Sequence, residues 1–191
     1  MWLKGLVAVW GLSITAVLAN MHSWHSFLFP APEVAEVADF LEAKRPINLL
    51  HVMAQGCSCS GHLADYLATR GADPDAGEKV LVLGDMPEQV AELREAGFEV
   101  DNLSFAMARD RGFLSGVPLL VIFNQQREVA YIGGYTNTPI TPMATFYDLR
   151  IAKSYERGET LEQYPVRGCA VSQEIQEMLD PFGLKYRSSN T

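Results

Sequence analysis

Apolar runs and amphipathic segments alternate along most of the chain. Three short, almost wholly apolar runs have the character of strands buried in the middle of a sheet. They are Ile47–Ala54, residues 79–84 and residues 119–123. Residues 128–132 follow the third run across a short polar turn, which predicts a β-hairpin, and residues 98–100 predict a further short strand.

Between these runs, apolar residues recur every three or four positions, which is the spacing of one face of an α-helix. The predicted helices cover residues 33–44, 60–70, 87–96, 103–111, 142–157 and 172–179. Gly71 and Pro87 stand at positions that favour a helix end and a helix start. This order of elements predicts an α/β fold with a mixed sheet covered by helices on both faces.

The beginning of the chain differs from the rest because a single lysine is its only charged side chain before residue 33. The apolar stretch that ends at Ala19 is compatible with a retained membrane anchor and with a signal peptide. A bilayer span needs about 20 apolar residues, and a signal-peptide core needs roughly 7–15. Ala19 suits cleavage, whereas the aromatic residues beyond it resemble the interfacial belt of a retained anchor, and these are Trp24, Phe27 and Phe29. We favour a signal anchor over a cleaved signal peptide and over a buried N-terminal helix.

The leader sets the expected organisation of the 191-residue chain. Residues 1–32 form the signal anchor or signal peptide with a short linker, and residues 33–191 form one domain. We expect the domain to lie outside the cytoplasm, anchored in the membrane on the periplasmic side if the source is bacterial, or secreted after cleavage near Ala19. The formal net charge of −8, with no basic stripe, argues against nucleic acid as a partner.

The candidate chemistry lies at three cysteines, two of which are separated only by Ser58. Cys57 and Cys59 lie between the first predicted strand and the next helix, where unpaired backbone N–H groups and the helix dipole stabilise a thiolate. A disulfide between cysteines this close is strained and easily reduced, which suits an exchanging bond better than a structural one. Cys169 could resolve or replace that bond, or form a stabilising bridge with one of the pair.

The order of these elements resembles the thioredoxin-like superfamily, especially redoxin-type members with two cysteines after the first long strand. The resemblance covers roughly residues 47–135 and includes Cys57-Ser58-Cys59, Gly116-Val117-Pro118 and a hairpin that ends in glycine. It implies a thioredoxin-like mixed sheet and a cis peptide bond before Pro118, with the proline facing the cysteines. The motif departs from the common pattern, because one residue instead of two separates the cysteines and Gly56 replaces the usual Trp.

Three functions fit these residues. The first is an extracytoplasmic thiol-disulfide oxidoreductase that acts on protein thiols or disulfides without a cofactor. In it Cys57 attacks, Cys59 resolves the mixed disulfide and Pro118 shapes the substrate groove. The second is a soft-metal protein or metallochaperone, in which Cys57, Cys59 and His62 hold copper or zinc. The third is a non-catalytic interaction domain on the same fold. His51, in an apolar strand, is expected to be a partnered core residue.

Overall fold

The computed structural model describes residues 2–110 and 114–186 of the chain. The helices are α1 (Trp2–Ser26), α2 (Val34–Val37), α3 (Ser58–Arg70), α4 (Pro87–Glu95), α5 (Phe105–Asp110), α6 (Asp148–Glu156) and α7 (Gln173–Leu179). The strands are β1 (Leu28–Phe29), β2 (Ile47–Ala54), β3 (Gly77–Leu83), β4 (Glu99–Leu103), β5 (Gly116–Val117), β6 (Leu119–Asn124), β7 (Val129–Gly133), β8 (Val166–Arg167) and β9 (Cys169–Ala170).

The central sheet has five strands in the order β4-β3-β2-β6-β7. Strands β2, β3 and β4 run parallel, β6 runs antiparallel to β2, and β7 runs antiparallel to β6. Strand β2 is therefore central, with Leu50 opposite Lys79 on one side and Val121 on the other. Two small antiparallel ladders pair β1 with β8 and β5 with β9. The mixed sheet predicted from the sequence is confirmed.

Successive side chains of β2 enter two separate cores, one on each face of the sheet. Leu49 and Met53 are buried on one face with residues of α3, α4 and α6. Leu50 and Val52 are buried on the other face with residues of α2, α5, β9 and α7. This alternation follows from the pleat of a strand whose two faces are both covered. The predicted helical layers on both faces are present.

The N-terminal segment forms α1 and leads into the domain through β1. Within residues 2–110 and 114–186, no helix combines the length and apolar character needed to cross a bilayer. Leu28 and Phe29 pair with Arg167 and Val166, and Phe29 is buried in the same core as the cysteines. The aromatic-belt interpretation is wrong for Phe29, because its ring packs inside the domain. The packed body thus begins within the predicted linker.

Two predicted helices are shorter than expected, and the first of them is the helix over residues 33–44. It is limited to α2 and a following 3-10 turn at Ala38–Phe40, after which Leu41 adopts an extended backbone. The backbone N–H groups of Lys44 and Arg45 donate to the side-chain oxygen of Asn48 at 2.8 and 3.0 Å. Because this amide satisfies both donors outside a helix, the amphipathic pattern does not continue as one.

The second is the helix over residues 142–157, which begins only at Asp148. The backbone N–H of Tyr147 donates to the carbonyl of Tyr135 at 3.0 Å, which ties the preceding segment to the chain just after β7. Asp148 is fully buried at the first position of α6 and accepts a hydrogen bond from the Tyr66 hydroxyl at 2.9 Å. These tertiary contacts place the start of the helix.

A buried polar network lies on the face of the sheet covered by α3 and α6. The ring nitrogens of His51 lie 2.8 Å from the Tyr135 hydroxyl and 3.0 Å from the Glu78 carboxylate. Arg70 bridges Glu78 at 2.7 Å and Asp148 at 2.8 Å. Burial on its own would raise the pKa of Glu78, but hydrogen bonds from His51 and Arg70 outweigh it and lower this pKa to about 2. His51 is therefore a partnered core residue.

Candidate functional site

Cys57 and Cys59 lie at the start of α3, one short turn after β2. The helix begins at Ser58, two residues earlier than predicted, so Cys57 is its N-cap residue and Cys59 lies in its first turn. The hydroxyl of Ser60 accepts the backbone N–H of Ala54 at 3.0 Å, which ties the start of the helix to the end of β2. The cysteines are thereby held where the helix N-terminus stabilises negative charge.

The third cysteine joins this pair from the far end of the chain. Cys169 lies in β9 and stands directly opposite Val117 of β5. The sulfur of Cys57 lies 3.9 Å from the Val117 carbonyl oxygen, so both cysteines flank the same residue. The side chains of Cys169 and Cys59 both act on the acidity of Cys57. No disulfide joins the three, and each is only 5–6% exposed.

The three thiols differ strongly in acidity. Burial raises the pKa of Cys57, but hydrogen bonds from Cys169, Cys59 and Ser60 outweigh it and hold this pKa well below its ordinary value. A hydrogen bond from Cys169 lowers the pKa of Cys59, but donation to Cys57 and burial outweigh it and raise the pKa to about 11. Donation to Cys57 and Cys59 raises the pKa of Cys169 above its ordinary range. Of the three thiols, Cys57 is therefore the one that ionises most readily, and the other two favour its ionised form.

A cavity of about 300 Å³ opens over Cys57 and Cys169. The other residues that line it are Ala54, Gln55, Gly56, Phe105, Ala170, Gln176, Lys185 and Tyr186. Lys185 is the only one of these described lining residues with a formal charge, and its ammonium lies 3.7 Å from the sulfur of Cys169. Cys59 does not line the cavity, and its sulfur lies 3.9 Å from the Ile140 carbonyl oxygen instead. The cavity therefore gives access to two of the three thiols.

The peptide bond between Val117 and Pro118 is cis, which confirms the expectation drawn from the family resemblance. Pro118 is buried, and the segment before Cys169 lies directly against it. At Gly168, where φ is +153°, a Cβ atom would lie 2.0 Å from the Val117 carbonyl oxygen and 2.7 Å from Cδ of Pro118. Only glycine fits there. The space beside Pro118, predicted as a substrate groove, is thus filled by the chain that carries Cys169.

His62 does not join the thiol cluster in a metal-binding arrangement. Among the residues that the structure describes, no group of three or more His, Cys, Asp or Glu side chains is placed to hold a metal ion. Cys57 and Cys59 are buried, whereas His62 is partly exposed on α3. The copper or zinc ligand set considered from the sequence is therefore not assembled in this structure.

No protein-family model matches the chain, and no curated protein matches it in sequence. Solved structures do resemble it. A hypothetical protein from Sinorhizobium meliloti 1021 is 20% identical, with 76% of this chain and 89% of that chain covered and a TM-score of 0.51. An uncharacterized conserved protein from Geobacillus kaustophilus is 15% identical, with 78% and 89% covered and a TM-score of 0.50. The thioredoxin domain of a thiol-disulfide oxidoreductase from Bacteroides vulgatus is 14% identical, with 65% and 84% covered and a TM-score of 0.41.

Three features that the resemblance predicted occur together. The sheet has the mixed order β4-β3-β2-β6-β7, the paired cysteines begin the helix after β2, and the cis-proline precedes β6. The chain has a thioredoxin-like fold. Within this thioredoxin-like framework, the site departs from a simple cysteine pair, because a C-terminal segment adds Cys169, Gly168 and Lys185 to it.

Sequence reasoning did not single out Ser60, Gly168 or Lys185. The glycine that directly precedes Cys169 was a usable signal, since glycine beside a chemically active residue often marks a close backbone approach. Ser60 follows the cysteines on the same helix turn and was also within reach of a local argument. Lys185 offered no signal, because its position beside Cys169 depends on how the last described residues fold back onto β9.

Proposed function

We propose that this protein is a thiol-disulfide oxidoreductase whose nucleophile is Cys57. The observation that supports this most strongly is the position of Cys57 at the N-cap of α3, where Cys59, Cys169 and Ser60 lower its pKa. These contacts favour the thiolate, which is the form of cysteine that attacks disulfides. A structural cysteine buried among apolar side chains has a raised pKa, because burial alone disfavours the thiolate.

The proposed reaction uses the cluster in two steps. The thiolate of Cys57 attacks one sulfur of a substrate disulfide, forms a mixed disulfide and expels the other sulfur as a thiolate. A neighbouring thiol, from Cys59 or Cys169, then attacks the sulfur of Cys57 and forms an internal disulfide. Its proton goes to the second departing sulfur, so two electrons pass from the protein to the substrate. The reverse sequence oxidises a dithiol.

The proposed partners are compounds with thiol or disulfide groups, and the proposed setting is outside the cytoplasm. The low-charge leader supports export, because a basic residue followed by an apolar stretch is typical of segments that direct chains across a membrane. An oxidising compartment is also where an easily reduced disulfide has a chemical role, since protein thiols in the cytosol are kept reduced.

Thiol chemistry on the purified protein tests this proposal. The reduced chain is mixed with 2-hydroxyethyl disulfide, quenched in acid and weighed intact, and we expect the protein to lose two hydrogen atoms as an internal disulfide forms. Cys57→Ala is expected to abolish the reaction, whereas Ser58→Ala, which changes the exposed neighbour, leaves it intact. Metal content is measured on the same sample. Inert thiols, or stoichiometric copper or zinc held by reduced thiols, would contradict the proposal.

A further inference from the structure

The strand edge nearest to the cysteines is already occupied. An extended peptide usually binds beside a sheet by pairing with an exposed edge. Here β5, which leads into Pro118, is paired with β9 through Gly116 opposite Ala170 and Val117 opposite Cys169. The chain itself therefore occupies the edge of β5 with which an extended protein substrate would pair.

The opening that Cys57 and Cys169 share is small. Cys57 and Cys169 are each 5% exposed, and the cavity over them measures about 300 Å³. This volume lies at the lower end of the range for small-molecule sites, about 300–1,000 Å³. A disulfide held in a folded protein brings its flanking backbone with it, whereas a low-molecular-weight disulfide fits such a space.

The charged group in the wall of the cavity indicates the charge that a small substrate carries. The ammonium group of Lys185 lies 3.7 Å from the sulfur of Cys169 and 5.0 Å from the centre of the Tyr186 ring. Glutamine side chains at positions 55 and 176 supply further polar groups on the wall. A carboxylate is the complement of a partly buried ammonium group beside amide donors. Because the chain as a whole has a net negative charge, only this nearby ammonium group, and not the overall charge of the protein, attracts an anion to the cavity.

The positions of the thiols also indicate which of them completes the reaction. Cys57 and Cys169 line the cavity together, whereas Cys59 points to the carbonyl of Ile140. A bond between Cys57 and Cys59 would have to close over the single residue Ser58, and the preferred geometry of a disulfide is hard to reach over so short a loop. Cys169 comes from a separate strand and has no such constraint.

We propose that Cys57 and Cys169 are the exchanging pair and that the cavity over them admits a low-molecular-weight disulfide carrying a carboxylate. This inference rests on the proposed function and names its resolving thiol and its substrate class. The thiolate of Cys57 attacks the small disulfide and expels one half as a thiolate. Cys169 then attacks the sulfur of Cys57 and gives its proton to the second half as that half departs. The protein loses two electrons and the small disulfide gains them, and a dithiol reductant restores the cluster.

The substrate class is tested with three small disulfides that have two methylene groups between each sulfur and its polar end group. These are 3,3′-dithiodipropionate, 2-hydroxyethyl disulfide and cystamine, which are anionic, neutral and cationic. Rates are measured by acid quench and intact mass at low ionic strength for the wild-type chain, Lys185→Met and a control, Lys153→Met, which alters an exposed lysine of α6. Lys185→Met is expected to lower the ratio of the anionic to the cationic rate on the order of tenfold. Because the same Cys57 thiolate attacks both disulfides, the ratio within one protein does not depend on the thiolate fraction of Cys57. Comparison of this ratio between wild type and variant removes the intrinsic reactivity of each disulfide.

The resolving thiol is tested by peptide mapping of the wild-type protein after reaction with the anionic disulfide. We expect a bridge between Cys57 and Cys169, an unchanged bridge in Cys59→Ser, and an accumulated mixed disulfide on Cys57 in Cys169→Ser. Circular dichroism of each variant establishes that it is folded. The bridge in the wild-type protein is assigned without any substitution, so this result does not depend on whether a variant folds.

The outcomes separate this inference from the proposed function. A bridge between Cys57 and Cys59 in the wild-type protein overturns the pair, and equal rate ratios in wild type and Lys185→Met overturn the substrate class. Faster reaction with the intact disulfides of insulin than with any small disulfide overturns the size argument. Each of these results leaves the oxidoreductase proposal standing. Absence of exchange with every disulfide tested defeats that proposal as well.

Discussion

The buried network around Arg70 allows a quantitative prediction. Arg70→Met removes the guanidinium that bridges Glu78 and Asp148, whose side chains are 1% and 0% exposed. Two carboxylates then remain in the core with one fewer cation between them. Removal of one partner from a buried ion pair costs about 3–5 kcal/mol, because the remaining charge stays desolvated and uncompensated. For a chain of this length that loss lowers Tm by roughly 6–20 °C.

The pKa of Glu78 supports this magnitude. It lies at about 2 in the folded protein against an ordinary value of 4.5, and this difference corresponds to about 3 kcal/mol shared between His51 and Arg70. Because the folded pKa is the lower one, the stabilisation is fully present above pH 4.5 and is lost as the pH falls towards 2. The gap in stability between wild type and Arg70→Met is therefore expected to narrow over that window.

Urea unfolding at several pH values between 2 and 7, followed by circular dichroism, measures both effects. Arg157→Met is the matched control, since Arg157 pairs with Glu159 on the surface, where both side chains are about half exposed. We expect no measurable change in that variant, because exposed ion pairs contribute little. If Arg70→Met unfolds at the same urea concentration as wild type, or if the gap is constant with pH, the ionic network does not stabilise the fold as argued.

Two further predictions concern the thiol cluster. Gly168→Ala places a methyl group against the Val117 carbonyl and the Pro118 ring, so we expect a loss of about 1–3 kcal/mol in thermal unfolding and slower formation of the bridge between Cys57 and Cys169. Ser60→Ala removes a hydroxyl that lowers the pKa of Cys57, so the pH midpoint for alkylation of Cys57 by iodoacetamide is expected to rise towards its ordinary value, about 8.5. Unchanged stability in the first variant or an unchanged midpoint in the second would count against the contacts described.

The central strands and the chemistry at the start of α3 were predictable because local pattern determines both. Strand β2 has the predicted bounds, Ile47–Ala54, because a strand buried on both faces has a continuous apolar run as its sequence. The thiolate site followed from two cysteines placed between that strand and a helix. The helix start itself was misplaced by two residues, because Ser58 and Cys59 carry no apolar periodicity that would mark them as helical.

The elements that sequence reasoning missed depend on contacts between distant segments. Strands β1, β5, β8 and β9 contain two residues each, which is too short to show any periodicity. They form because Phe29 enters the core and because β9 pairs with β5. The helices predicted over residues 33–44 and 142–157 were too long for the same reason, since Asn48 and Tyr135 take up backbone donors that a helix would have used.

The thiol cluster shows how local and distant contributions combine. The helix N-terminus and Ser60 are encoded next to Cys57, and they favour its thiolate in any chain that folds this way. The one-residue gap to Cys59 leaves that thiolate without a partner of good geometry for a disulfide. Cys169 supplies such a partner from β9, while Gly168 lets β9 approach Val117 closely enough to bring it there. We therefore propose that the altered cysteine spacing and the C-terminal segment belong together, as one rearrangement of the exchanging pair on a thioredoxin-like fold.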